Sequence, residues 1–244
     1  MKQYEAVLMT IEKLGGIATL GQINQEIFNI KDCEWKSKTP FASIRRIVQL
    51  DENIYRIKPG LYALKKLQNK FESEGIFVEN EKNVDTKEII DFNHSYYQGL
   101  LLEIGNIKKY STYIPAQDKN KLFINKPLRE VSTVDKIYEF TYPNLVNRAK
   151  TIDVIWFNER KLLSSVFEVE HSTDIQNSLL KFNDLQDFKT EFYIVSSIKR
   201  KEEFNAKLKY SSFSEIKDRV KFLDYQYISD LHTRISEFNK FDKI

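Results

Sequence analysis

The sequence contains little cysteine, glycine and proline, and it has no long apolar run. The single cysteine, Cys33, excludes an internal disulfide framework and a cysteine-rich zinc site, and it favours a reducing, cytoplasmic location. The 7 glycines and 5 prolines among 244 residues are too few for a fibrous or loop-dominated chain. Since charges interrupt every apolar stretch before the roughly 18 residues that span a bilayer, we expect no membrane partner.

The rest of the composition is that of a globular protein. Hydrophobic residues make up 41% of the chain and charged residues 30%, a balance that allows a buried core. The length fits one large domain or two small ones. The first residues, MKQYEAVLMTIEKLGG, carry charges within their apolar stretch, which indicates an amphipathic helix and not a signal peptide.

The net charge of +3 is unevenly distributed along the chain. Residues 1–66 hold 11 Lys and Arg against 7 Asp and Glu, whereas the remaining residues hold 27 against 28. A basic excess on a small module favours a polyanion partner, with nucleic acid first. An excess of this size also arises by chance, so charge alone does not decide the partner.

The pattern of residues 1–66 predicts three helices followed by a β-hairpin. Apolar residues recur at helical spacing from Tyr4 to Leu14, and a second helix begins after the N-cap candidate Thr19. A third begins at Thr39, with Pro40 at its first position. Two β-like runs, 54–57 and 61–64, are joined by a Lys-Pro-Gly turn. This order is that of a winged helix-turn-helix.

The end of this module, IRRIVQLDENIYRIKPGLYALKK, resembles HARE-HTH domains. The resemblance implies a DNA-binding domain over residues 1–66 that binds double-stranded DNA, with the third helix in the major groove. Each basic residue could equally be a solvated surface charge. The candidate DNA contacts are Lys38, Thr39, Ser43, Arg45, Arg46 and Gln49 at the third helix, and Arg56 and Lys58 on the hairpin.

A charged linker is predicted over residues 67–90, and a second domain over 91–244. Its pattern predicts a helix over 93–104 that breaks after Gly105, a short strand over 111–115, and strands over 152–157 and 163–170. A helix from Thr173 and further strands and helices follow, whereas the mixed pattern of residues 118–147 assigns no element. The predicted fold class of the whole chain is therefore α/β (α+β). The second domain has a central mixed β-sheet flanked by helices.

Three acids occur on two strongly apolar strands of the second domain. Glu168 and Glu170 are two residues apart, so their side chains point to one face of their strand. A hairpin turning near Glu159 brings Asp153 opposite residues 168–170. A solvated strand edge is the alternative for any single acid. Three neighbouring carboxylates stay ionised only if a cation or strong donors neutralise them, and hard oxygen ligands suit Mg²⁺ or, in its place, Mn²⁺.

The strands IDVIWF and SVFEVEH resemble the core motif of PD-(D/E)XK nucleases. The resemblance implies that Asp153 and Glu168 bind metal, and that Glu103 on the preceding helix contributes a third ligand. Glu170 stands where the motif usually has lysine, and it would hold metal or activate water. The four acids are therefore the catalytic candidates.

Other residues near the acids have weaker signals. Arg148, Lys150 and His171 could contact phosphate, although structural or solvent-exposed roles are at least as plausible. His94 and His232 have no metal partner at ligand spacing, which argues against metal binding. The sequence contains no GxxxxGK[ST], no GxGxxG and no serine-hydrolase elbow, so nucleotide hydrolysis and acyl transfer have no support.

These observations predict a Mg²⁺-dependent DNA endonuclease of the type II restriction class. Cutting both strands favours a homodimer, and a restriction enzyme implies a cognate DNA methyltransferase as genetic partner. One rival is a non-catalytic DNA-binding regulator with a degenerate nuclease fold, which the missing motif lysine favours. A repair or RNA-processing nuclease is another, because the acids do not define the substrate.

Overall fold

The computed structural model describes residues 1–172 and 174–241. The chain divides into two compact units. The first unit comprises residues 1–92 together with the described residues from Ser229 onward, and the second comprises residues 93–228. Among the described residues, no helix combines the length and hydropathy that crossing a membrane requires.

The first unit begins with three helices that pack around one apolar core. They are α1 (Gln3–Lys13), α2 (Leu20–Glu26) and α3 (Pro40–Leu50). A capping box starts α2: Gln22 N–H donates to Thr19 Oγ1, and Thr19 N–H donates to the Gln22 side chain, both at 3.0 Å. Ile11, Ile23 and Ile44, one from each helix, are fully buried in this core. The three predicted helices are thus confirmed.

A three-stranded antiparallel sheet follows these helices, with strand order β1-β3-β2. The predicted hairpin corresponds to β2 and β3, whereas β1 is too short to leave a period-two pattern and was not predicted. Gly60 lies in the turn with φ of 73°, a conformation that residues with a side chain rarely adopt. The strands are β1 (Ile17–Thr19), β2 (Ile54–Lys58) and β3 (Leu61–Leu64).

The segment predicted as a linker is ordered at several points. It contains helix α4 (Gln68–Ser73), and Phe71 and Ile76 are buried. Glu79 accepts a hydrogen bond of 2.9 Å from Lys58 Nζ. The charge-rich composition of residues 67–90 led to the prediction of a linker, although the segment contains a short helix and two buried apolar residues.

Helix α5 (Lys87–Ile107) is longer than the predicted helix over 93–104 and includes Gly105, where a break was predicted. A Cβ atom at Gly105 would lie 2.6 Å from both Thr112 Cγ2 and Trp156 Nε1. Trp156 Nε1 donates to Leu101 O at 3.0 Å. The glycine therefore allows the helix to approach the sheet closely and does not end the helix.

The second unit is built on a five-stranded mixed sheet with strand order β10-β9-β8-β7-β4. Strands β4, β7 and β8 pair antiparallel, whereas β8, β9 and β10 pair parallel. The central mixed sheet flanked by helices confirms the coarse fold prediction. The strands are β4 (Ser111–Tyr113), β7 (Val154–Phe157), β8 (Leu163–Glu170), β9 (Glu191–Ser196) and β10 (Val220–Asp224).

Helices and short elements complete the second unit. Helix α8 begins at Ile175 with Asp174 as its N-cap, whereas Thr173, the predicted first residue, lies outside the described residues. Fully buried Phe182 from α8 and Phe192 from the sheet stack at 4.9 Å in the core between them. The remaining elements of the second unit are β5 (Leu122–Phe123), β6 (Lys126–Pro127), α6 (Leu128–Val131), α7 (Pro143–Ala149), α8 (Ile175–Asn183) and α9 (Lys201–Leu208). The last helix, α10 (Tyr225–Phe241), begins in the second unit and belongs to the first unit from Ser229 onward.

Candidate active site

Three buried carboxylates meet at one end of the β7–β8 hairpin. The register pairs Val154 with Phe167, which places Asp153 beside Glu168 as the sequence predicted. Ser178 Oγ on α8 donates to Glu168 Oε2 at 3.1 Å and also to Glu170 Oε1, so both glutamates point to the same face. Asp153, Glu168 and Glu170 are only 7%, 2% and 4% exposed, so they are not a solvated strand edge.

Asp153 is held in its ionised form by donors. Its Oδ2 accepts from the Val169 N–H at 2.8 Å and lies 3.2 Å from His94 Nε2. Burial acts to raise the pKa of Asp153, but His94 and the Val169 N–H outweigh burial and hold that pKa below its usual value. The charge of Asp153 in turn outweighs the effect of burial on His94 and raises the pKa of the imidazole.

A lysine from α8 neutralises part of the charge on Glu168. Lys181 Nζ donates to both carboxylate oxygens of Glu168, at 2.9 and 2.8 Å, and to Thr151 O at 3.0 Å. Burial and the neighbouring Asp153 nevertheless raise the pKa of Glu168 well above its usual value. Lys181 therefore supplies a cation at the acids although residue 170 is not lysine.

Glu170 has one carboxylate oxygen with unused hydrogen-bonding capacity. Its Oε1 accepts from Ser178, whereas its buried Oε2 has no hydrogen-bond partner among the described residues. Burial raises the pKa of this carboxyl group above its usual value. A buried acceptor without a donor is costly, so this oxygen fits the role of a cation ligand or a proton acceptor.

A second group of ligands adjoins Asp153. One potential ligand atom from each of His94, Asp118 and Asp153 lies within 4.8 Å of the other two. Gln98 Nε2 donates to Asp118 Oδ2 at 2.8 Å and to Asp153 O at 3.2 Å, which ties the two acids together. Lys121 Nζ lies 2.7 Å from the other oxygen of Asp118.

Comparison with known proteins identifies the family of this region. The sequence profile of the C-terminal domain of the type II restriction enzyme NmeDI matches residues 77–243. The chain belongs to this family. It is 28% identical over 113 residues to the type II restriction enzyme NmeDI of Neisseria meningitidis serogroup C. That match covers 44% of this chain and 31% of the relative. No solved structure matches the chain.

The NmeDI-type region contains all the acids described above and also Glu103. Glu103 is half-buried on α5, nine residues after His94, which corresponds to about half a turn around the helix axis. It is not part of the ligand group that includes His94 and Asp153. The role of Glu103 as a third metal ligand stays a prediction, whereas α5 brings His94 to Asp153.

The predicted phosphate contacts have protein partners of their own. Arg148 forms an ion pair with Asp184, and exposed Lys150 donates to Asn147 at 2.9 Å. His171, directly after β8, has its Nδ1 at 3.1 Å from the Asn93 side chain and its ring stacked on Tyr225. These contacts give structural reasons for all three residues, and their role toward phosphate stays a prediction.

Four of the eight predicted DNA contacts in the first unit already contact other residues of the protein. Thr39 Oγ1 lies 3.4 Å from Ser37 Oγ, Arg56 Nε donates to Lys58 O at 3.2 Å, and Arg45 and Lys58 form ion pairs. The side chain of Lys58 is only 2% exposed and forms its ion pair with Glu79, so it does not present its charge to a ligand. Arg45 Nη2 lies 3.1 Å from Glu237 on α10. Lys38, Thr39, Arg46, Gln49 and Arg56 are exposed, and Ser43 is half-buried.

Four residues that the sequence did not predict for the site also lie there: His94, Gln98, Asp118 and Lys181. Lys181 lies on the face of α8 that carries Ser178, one turn away, and this spacing was a readable signal. The sequence argued against a metal role for His94, because no ligand partner lies near it along the chain. Asp118 and Asp153 are distant in sequence and meet His94 only in the fold.

Proposed function

We propose that the chain is a divalent-metal-dependent endonuclease that hydrolyses phosphodiester bonds of double-stranded DNA at a specific site, as a type II restriction enzyme. The observation that carries the proposal is the buried group Asp153, Glu168 and Glu170 with Lys181 against it, within a region of the NmeDI family. Three acids with a purely structural role are rarely buried together, since each carboxylate loses its hydration and repels the other two.

The residues present fit a hard divalent cation such as Mg²⁺. Asp153, Glu168 and Glu170 offer carboxylate oxygens, and Glu170 Oε2 has no donor within the described part of the chain. Such an ion would polarise the phosphodiester and favour ionisation of the attacking water. Asp153 is the best-defined ligand, because its charge is already held by His94 and the Val169 N–H.

The protein residues account for the proton transfers. Water attacks phosphorus in line, its proton passes to Glu170, and the bond to the leaving oxygen breaks as that oxygen takes a proton from solvent. Burial raises the pKa of Glu170, which makes its carboxylate a stronger base for this proton. Lys181, 21% exposed at its side chain, favours the charged form of Glu168 against burial and is close enough to the surface to meet a phosphate oxygen.

We further propose that residues 1–66 form a HARE-HTH-like winged helix that binds DNA. The order α1, α2, α3 and then the β2–β3 hairpin supports this fold, as does β1 pairing with the hairpin. The exposed face of α3 offers Arg46 and Gln49, residue types that read guanine and adenine in the major groove.

Cleavage of plasmid DNA tests the proposal. We expect the full chain to cut unmodified supercoiled plasmid with Mg²⁺ and not with EDTA, and Glu168→Gln to abolish cutting while DNA binding persists. The matched control is Glu191→Gln on the neighbouring strand β9, where an exposed ion pair with Lys221 is removed. DNA binding without cutting by the folded wild-type protein would instead indicate a non-catalytic DNA-binding protein.

A further inference from the structure

His94, Asp118 and Asp153 form a ligand set that differs from three carboxylates. His94 Nε2 and Asp153 Oδ2 are 3.2 Å apart. Two ligands bound to one ion at about 2.1 Å, at angles between octahedral and tetrahedral, are separated by roughly 3.0–3.4 Å. The two atoms form an ion pair at the spacing that a shared metal ion also imposes, and binding of such an ion releases the proton of His94 Nε2 to solvent.

The surroundings hold both acids of this set in place. Gln98, fully buried on α5, connects Asp118 Oδ2 with the backbone oxygen of Asp153. The Val169 N–H fixes Asp153 Oδ2. Outer contacts of this kind orient metal ligands in proteins. Glu168 has both oxygens on Lys181, and Asp118 has its two oxygens on Gln98 and Lys121, so an ion competes with a lysine at either acid.

We infer that His94, Asp118 and Asp153 bind one first-row transition metal ion, and that they bind it more tightly than Mg²⁺. Imidazole nitrogen is a good ligand for transition metals and a poor one for Mg²⁺, which prefers oxygen and water. The inference deepens the proposed function and rests on it, because Asp153 serves both groups. In the inferred site, the imidazole of His94 contacts the metal ion directly.

Pulsed electron paramagnetic resonance of bound Mn²⁺ tests this contact directly. The experiment uses the full chain without a histidine tag, because tag imidazoles would bind Mn²⁺ themselves. We expect nitrogen-14 modulation from one imidazole in the wild-type protein and in the control His171→Gln, and none in His94→Gln. Modulation that persists in His94→Gln, or that is lost only in His171→Gln, would overturn the assignment.

Calorimetry with Mn²⁺ and Mg²⁺ provides the second readout. We expect Mn²⁺ to bind more tightly than Mg²⁺, and His94→Gln to weaken Mn²⁺ binding by at least about 10- to 100-fold, the range seen when metal-supporting contacts are lost. Mg²⁺ binding should change much less. Equal affinity of the wild-type protein for both ions would contradict the inference. If His94→Gln does not fold, Asp118→Asn should weaken Mn²⁺ binding while retaining the nitrogen signal.

DNA cleavage, measured in parallel, separates this inference from the proposed function. Cutting that proceeds while bound Mn²⁺ shows no imidazole signal would overturn the His94 site and leave the nuclease proposal standing. An imidazole signal in a folded protein that cuts no DNA would support the site and contradict the nuclease proposal.

Discussion

Lys181 and Glu168 form the strongest single charge contact of the candidate site. Lys181 Nζ donates to both carboxylate oxygens of Glu168 and to Thr151 O. The Glu168 side chain is only 3% exposed. Removing one partner of a buried pair leaves the other charge without compensation. Glu168 would respond by taking up a proton, which weakens it as a ligand.

Lys181→Met should therefore reduce DNA cleavage strongly, by about 100-fold or more if the lysine also assists at the phosphate. Its matched control is Lys221→Met, which removes an exposed lysine from an ion pair with Glu191 on the same sheet. Cleavage rates at saturating Mg²⁺ measure the effect. Equal rates for both variants would show that Lys181 is not needed.

Glu103 is the metal ligand that the resemblance implies on α5, and its position on that helix allows a test. Since Glu103 lies about half a turn around α5 from His94, we expect Glu103→Gln to keep cleavage within a few fold of wild type. His94→Gln on the same helix is the contrasting variant, and cleavage assays on plasmid compare the two. Complete inactivity of a folded Glu103→Gln protein would restore this residue to the catalytic group.

The stability of the metal-free protein should depend on the buried glutamates. The pKa values of Glu168 and Glu170 are raised above the usual 4.5, chiefly by burial. Their unfolded forms ionise first, so their contribution to stability is present below about pH 4.5 and is lost as pH rises through the folded pKa. In EDTA, ionisation of Glu168 and Glu170 therefore lowers the free energy of unfolding as the pH rises toward neutral.

Glu168→Gln should remove the part of this pH-dependent loss of folding stability that comes from ionisation of Glu168. In EDTA, its melting temperature relative to wild type should rise as pH increases from about 4.5 to 8. Thermal denaturation at several pH values measures that difference. A difference that stays constant or falls with pH would contradict the assigned pKa direction.

At the scale of elements, local patterns predicted the strands that carry the acids. The antiparallel register expected for β7 and β8 is confirmed, because a short connection and two apolar runs define a hairpin without information from distant residues. The helix break expected after Gly105 is wrong, because the glycine serves contact with Thr112 and Trp156. Sequence alone cannot distinguish a packing glycine from a helix-ending one.

Substitutions on the exposed face of α3 and at the buried end of β2 should differ in their effect on DNA affinity. Arg46→Ala removes an exposed charge and should weaken DNA binding by about 5- to 100-fold, the range for one base-contacting arginine. Lys58→Met removes a charge that is already paired with Glu79 in the interior and should change affinity little. Fluorescence anisotropy at fixed salt compares them, and a larger effect from Lys58→Met would contradict this arrangement.

At the scale of the whole molecule, the sequence predicted the mixed sheet and the acid group but not the residues that complete it. His94, Asp118 and Asp153 come from a helix, a loop and a strand start that span 60 positions of the chain. Their proximity depends on α5 packing on the sheet through Gly105, which no short-range pattern encodes. Residues 118–147, left unassigned from the sequence, proved to include Asp118 and several short elements.

Digestion of unmodified linear DNA by the purified full chain tests the central claim most directly. A site-specific restriction enzyme should produce discrete fragments with Mg²⁺ or Mn²⁺, no fragments with EDTA, and none with the folded Glu168→Gln variant. Discrete fragments that remain with Glu168→Gln would refute the assignment of the catalytic group. Intact DNA after incubation with the folded wild-type protein and either metal would contradict the nuclease function itself.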